Sequence, residues 1–176
     1  MFFVKMSKKI SAKNKILLIF TLLNIITTCL YSIYVYSLKS TSIANEIDSR
    51  LRAATYAVPK MLPPEYIDQA VKKDSVNIKK YNQLVHDFYV YCQKVGIKYL
   101  YVFIYEGDKI VYIMDTASDE QVEKGDYGAY FQVYDDPVPD IVQTFIDGNS
   151  RFAEYHDRFG YFRSFFWTGM RADGRR

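Results

Sequence analysis

Lys98-Tyr99-Leu100-Tyr101-Val102-Phe103-Ile104-Tyr105, then Glu106-Gly107-Asp108-Lys109, then Ile110-Val111-Tyr112-Ile113-Met114, is the stretch that decides the fold class. Side chains alternate along a strand, so the first run sets Tyr99, Tyr101, Phe103 and Tyr105 on one face and Leu100, Val102 and Ile104 on the other. Both faces are apolar, so both are expected to be covered. The Gly107-Asp108 centre supplies a tight turn, and the whole predicts a β-hairpin.

Working back from the hairpin, the period changes to that of a helix. Tyr81, Leu84, Val85, Phe88, Cys92 and Val95 mark one inner face, which Gly96 closes as a C-terminal cap. Glu65 to Lys73 can form a short helix. Earlier still, Ala44, Ile47, Leu51, Ala54, Val58 and Met61 recur at alternating spacings of three and four, the heptad seam of a long helix that Pro63 and Pro64 end. Such a seam serves either to pack on its own domain or to pair with a second copy in a parallel dimer.

Working forward, Asp115 to Gly128 reads as an acidic, glycine-punctuated loop and Tyr130 to Tyr134 as a short strand. Pro139 is suited to the first position of a helix over Asp140 to Ile146, with Gly148 after it. Strands are expected at Phe152 to His156 and Tyr161 to Trp167, joined through Asp157-Arg158-Phe159-Gly160. Ala172-Asp173-Gly174 is a turn signal with no returning strand behind it. Native sheets avoid a bare apolar edge, so a last strand is expected beyond this sequence. The fold class is α+β: an antiparallel sheet with flanking helices.

Ile16 to Leu38 carries no charge over 23 residues, a helix of roughly 34 Å, enough for a hydrocarbon core of about 30 Å. Tyr31, Tyr34 and Tyr36 gather at its far end, where amphipathic rings favour an interface. Lys5, Lys8, Lys9, Lys13 and Lys15 all precede it, with no acid among residues 1–38. The positive-inside rule therefore gives a basic cytoplasmic tail (1–15), a transmembrane helix (16–38), a juxtamembrane helix (39–64) and an exported domain (65–176). A cleaved signal peptide, cut near Ser42-Ile43-Ala44, is the alternative, and it exports the same body.

The chain's +3 net charge falls to −2 over residues 39–176 once those five lysines are set aside, and a slightly acidic body is a poor nucleic-acid binder. Seventeen Tyr and twelve Phe against one Trp favour a ring-lined, strand-rich interior over a helical bundle. Cys29 falls in the span and Cys92 on an apolar helix face, so no disulfide is expected. Asp115, Asp119, Glu120, Glu123 and Asp126 lack the spacing of a calcium loop, and His86 and His156 each stand alone, so neither calcium nor zinc is expected. No phosphate-binding glycine loop or nucleophile elbow is present. Ser164 and His156 flank a strand turn without the base and oxyanion donors a hydrolase needs, so a binding module is expected rather than an enzyme, with no cofactor.

Tyr130-Phe131-Gln132-Val133-Tyr134-Asp135-Asp136 with Pro137 and Pro139, and Phe152-Ala153-Glu154-Tyr155-His156-Asp157 with Gly160-Tyr161-Phe162-Arg163-Ser164-Phe165-Phe166, carry a resemblance. In the order membrane span, long helix, helix, hairpin, loop, short helix, hairpin, residues 16 to about 175 resemble the single Cache (PAS-like) extracytoplasmic sensor domain of bacterial membrane signal transducers. Two departures stand out: Thr168 lies where such domains often have Pro, and the strand after Asp173-Gly174 is absent. The resemblance implies the sensing part of a receptor of the diguanylate cyclase or histidine kinase type, with any catalytic output downstream or lost. It implies a single pass through the bacterial inner membrane, a periplasmic domain and a homodimer built on the juxtamembrane helix.

The resemblance also implies a small ligand lying over the sheet, on a floor made by Tyr101, Phe103, Tyr105 and Tyr112, with Tyr130 beside it; the alternative for these rings is a plain aromatic core. Arg163, alone among rings in its strand, can form a bidentate pair with a ligand carboxylate; otherwise it pairs with Asp115, Glu154 or Asp157, or is simply exposed on an edge strand. Asp115 can receive a ligand ammonium group, or serve as a turn or capping residue. A carboxylate or amino acid is the expected ligand. An exported structural or protein-binding domain without a small ligand is the rival reading.

Overall fold

A computed structural model describes residues 11–63, 65–157, 160–170 and 174. The chain divides into two compact units, Met1–Glu46 and Ile47–Arg176. Of the expected features, most of the basic tail, the inner residues of the 157–160 turn and most of the 172–174 turn lie outside the described residues.

The first helix, α1, runs over Ala12–Met61. Its apolar N-terminal stretch is a candidate membrane span, the only helix among the described residues long and apolar enough to cross a bilayer, and none of that window is buried by protein. Asn24 and Thr27 fold back on the carbonyls of Phe20 and Leu23 at 2.9 Å each, so these side-chain donors are used within the helix. Along the heptad seam Ala54 and Val58 are buried, whereas Ala44 and Ile47 are exposed. Packing within the domain thus uses only the later part of the seam.

In the Ile47–Arg176 unit, α2 (Tyr66–Gln69) is followed by α3 (Ile78–Val95), which starts on an Asn77 cap accepting from the Lys79 N–H at 2.8 Å and stops at Gly96 in the left-handed conformation. Its apolar face buries Tyr81, Leu84, Val85, Phe88 and Cys92. These meet Ala54, Val58 and Leu62 and the aliphatic face of the hairpin β1 (Val102–Glu106) and β2 (Lys109–Met114) in one core. Burial pushes the Cys92 thiol up to about 12, the behaviour of an inert core hydrophobe.

The hairpin turn is two residues, Gly107 and Asp108, both at positive φ, as the right-handed twist of the flanking strands requires. The strand begins at Val102 rather than at Lys98, because the Leu100 N–H turns to the Thr116 hydroxyl at 3.1 Å instead of joining the ladder. The expected loop 115–128 contains a helix, α4 (Asp119–Lys124). Its capping box, Ser118 with Gln121, satisfies two backbone N–H groups reciprocally, and Gly125 closes it.

The expected strand at 130–134 is reduced to one bridge, Val111 to Val133, along the outer edge of β2. The last helix, α5, is Pro139–Asp147, and β3 (Arg151–Asp157) pairs with β4 (Gly160–Phe166). The strands do not form a single layer. Instead there are two separate two-stranded antiparallel sheets, β1-β2 and β3-β4. No described segment pairs with the second edge of β1 or of β4, and two hairpins merge into one sheet only through such a ladder.

Candidate functional site

Asp115 follows the last residue of β2 and is 4% exposed. Its carboxylate accepts two backbone N–H groups, from Thr116 at 2.6 Å on Oδ1 and from Gly128 at 2.5 Å on Oδ2. Among the described residues no lysine, arginine or histidine pairs with it. Burial raises its pKa to about 6, and the two N–H donors oppose that rise. The capping role expected as one alternative is thus present, in a setting no surface turn provides.

Tyrosines surround this carboxyl. Tyr81 from α3, Tyr101, Tyr112 from β2 and Tyr127 all feel its charge, which opposes their ionisation; Tyr81 is fully buried, whereas Tyr101 is 38% exposed. The Tyr81 hydroxyl donates to the Gly128 carbonyl, and that of Tyr127 donates to the Asn82 side chain at 3.1 Å. The hydroxyls of Tyr101 and Tyr112 form no hydrogen bond among the described residues and face solvent: Tyr101 is exposed, and Arg151 Nε is the only buried side-chain polar atom left unpaired among the described residues. Tyr155 from β3 reaches the same neighbourhood, opposing ionisation of both tyrosines, and its own hydroxyl shares a hydrogen bond of 3.1 Å with Ser164. Gly128 has no side chain because Tyr112 occupies its place: a Cβ there would stand 2.6 Å from the ring.

Of the residues expected to bind a ligand, the structure brings together Tyr101, Phe103, Tyr112 and Asp115. Ring centroids are 5.7 Å apart for Tyr101–Phe103, 5.8 Å for Tyr101–Tyr112 and 4.8 Å for Phe103–Tyr112, and Tyr134 stacks on Phe103 at 5.2 Å. Three others sit elsewhere. Tyr105 stacks on Phe145 and helps line a cleft of about 260 Å³ near the hairpin turn, with Ile110, Val133, Tyr134 and Pro137 among its walls. Tyr130 is buried against Tyr81, its hydroxyl tied at 3.0 Å to Ser75 and to the Lys72 carbonyl.

Arg163 in β4 forms a bidentate pair with Asp48 of α1, Nε to Oδ1 at 2.5 Å and Nη2 to Oδ2 at 2.7 Å, and a further bond to Glu154. Asp115 is not its partner. The pairing holds the Asp48 carboxyl below the usual range. Glu154 was within reach of sequence reasoning as the cross-strand neighbour; Asp48, 115 residues away, was not.

Sequence reasoning also missed Tyr81, Tyr127, Gly128 and Tyr155. Each is marked only by being aromatic or glycine, and Tyr81 reads from its helical spacing as core. Among the described residues no group of three His, Cys, Asp or Glu side chains is placed to hold a metal ion. Chemically, the Asp115 cluster offers one buried anion, two tyrosine hydroxyls and several ring faces, a set suited to an ammonium group. No family model, no curated protein and no solved structure matches the chain.

Proposed function

We propose that this chain is the sensing part of a bacterial membrane receptor and that a small ligand bearing an ammonium group, an amino acid or a primary amine, binds at Asp115. The observation that carries the reading is the buried Asp115 carboxyl, which has no cationic partner among the described residues and whose charge reaches Tyr101 and Tyr112. An isolated buried carboxylate is unfavourable, and a cation arriving beside it relieves that cost. Tyr101 and Tyr112 then supply hydrogen bonds and ring faces to the same group.

Residues 16–38 of α1 span the cytoplasmic membrane, the lysines of residues 1–15 hold the N-terminus inside, and the Ile47–Arg176 unit lies outside. The exposed Ile47, in the membrane-proximal part of the heptad seam, lies on the face on which two copies pair. The second edges of β1 and β4, unpaired among the described residues, are suited to a further strand of a PAS-like sheet. Signalling requires that ligand affinity differ between two states of the domain.

The rival reading, an exported interaction or structural domain without a small ligand, draws on the mutual packing of Tyr101, Phe103, Tyr112 and Tyr134, which fills the space over the hairpin with rings. A thermal-shift panel of the twenty amino acids and of primary amines, on the full chain in lipid nanodiscs, separates the two. The sensor reading expects at least one ammonium compound to raise the melting temperature of the wild type and not of Asp115→Asn. A panel without effect, or an equal effect in both proteins, favours the rival.

A further inference from the structure

The two faces of the β3–β4 hairpin touch different things. Cross-strand partners share a face, so Phe152, Glu154, Arg163 and Phe165 project to one side, and Ala153, Tyr155, Phe162 and Ser164 to the other. The first face meets α1. Asp48, Arg52 and Tyr56 recur there every four residues, one helical stripe. Asp48 clasps Arg163.

Arg52 lies over the rings of Phe152 and Phe165 at 4.8 and 5.5 Å, and Tyr56 meets Phe165 and Trp167 edge-on at 5.7 and 5.8 Å. Arg163 itself covers Phe152 at 5.0 Å, so cations and rings alternate along the contact. The second face reaches the rings beside Asp115. Tyr155 stacks on Phe162 at 5.8 Å, Phe162 packs on Tyr99 at 6.0 Å, and Tyr99 stacks on Tyr101 at 5.9 Å.

We infer that the β3–β4 hairpin is the element that carries the state of the Asp115 cluster to α1, and that the bidentate Asp48–Arg163 pair is the latch that fastens it there. Arg163 is therefore a positioning residue and not a ligand contact. The inference rests on the sensor reading for its regulatory meaning, although the latch itself is a property of the ligand-free protein. The pair is only partly exposed and bidentate, the geometry in which an ion pair has directional hold rather than general attraction. Glu154, largely exposed, adds a weaker strut.

Trp167, the chain's single tryptophan, sits on this contact against Tyr56 and reports on it without a label. In the full chain in nanodiscs, without ligand, Asp48→Asn and Arg163→Gln should each raise acrylamide quenching of Trp167 and shift the ratio of fastened to released hairpin by about fivefold. Arg163→Lys, which keeps the charge and loses the fork, should fall between them and the wild type. The reversed pair, Asp48→Arg with Arg163→Asp, should return quenching toward wild type, a coupling that two independent losses would not show. Glu154→Gln should change little.

For the connection to the cluster, Asp115→Asn should change Trp167 quenching in the wild-type background and lose that effect in Arg163→Gln. Circular dichroism identifies variants that fail to fold, and the conservative Arg163→Lys and the reversed pair keep the test decisive in that case. Unchanged quenching in both single variants, or a reversed pair no better than the singles, overturns the latch. An Asp115→Asn effect that is absent, or equal in both backgrounds, overturns the connection. A ligand panel without effect leaves these measurements standing and counts only against the sensor reading.

Discussion

Asp115 holds its proton more tightly in the folded chain than in the unfolded one, because burial disfavours the charge more than two backbone N–H donors restore it. A raised carboxyl pKa means the folded state binds the extra proton between the two values. The contribution to stability is then full below about 4 and is lost as pH rises through about 6, a change on the order of 3 kcal/mol. The facing groups Tyr81, Tyr101, Tyr112 and Tyr127 are all pushed upward and stay neutral throughout, so they do not blur the window. Denaturant titrations at pH 4, 5, 6 and 7 should show this decline in the wild type and a flatter profile in Asp115→Asn. Gly128 gives a second test at this scale. Gly128→Ala sets a Cβ against the Tyr112 ring and should destabilise by about 1–3 kcal/mol, and Tyr112→Leu in the same background should recover part of that loss in a chemical denaturation series.

At the scale of elements, α3 and α4 show what a sequence reveals. The inner face of α3 and its Gly96 cap were legible because burial repeats with the helical period and the cap needs positive φ. Phe88, at 1% exposure, should cost about 3–5 kcal/mol as Phe88→Ala in thermal or urea unfolding. The short α4 hid inside an acidic stretch whose charges drew attention away from Ser118-Asp119-Glu120-Gln121, a capping signature in plain view. Ser118→Ala should lower stability by about 1 kcal/mol and raise amide exchange over residues 119–124.

The start of β1 is hidden in the sequence for a different reason. The pattern of alternating residues continues back to Lys98, but the Thr116 hydroxyl claims the Leu100 N–H, and no local pattern announces a side chain 16 residues away. The site divides along the same line. Tyr101, Phe103, Tyr112 and Asp115 come from one contiguous hairpin and were found together, whereas Tyr81, Tyr155, Gly128 and Asp48 enter only through tertiary packing.

Within the Ile47–Arg176 unit, the hairpin β1-β2 sets aliphatic side chains on the helical core and rings on its opposite face, Asp115 stands at the end of β2 where its charge reaches Tyr81 and Cys92 of that core, and the second hairpin touches both Tyr99 and α1. The proposed sensor uses each layer: the core fixes β1-β2, the rings and Asp115 take the ligand, and β3-β4 reports to the helix. Its central claim is that the Asp115 carboxylate is the counter-ion of a bound ammonium group. The most direct measurement is a carbon-13 NMR titration of the Asp115 carboxyl in the full chain, assigned by comparison with Asp115→Asn, alone and saturated with an amine selected by the thermal-shift panel. The account predicts a midpoint near 6 in the free protein that drops by a unit or more with the amine bound, since a cation beside a carboxyl favours its ionised form. A midpoint that stays in place while the amine raises the melting temperature, or one already in the ordinary range near 4 without it, would contradict the claim.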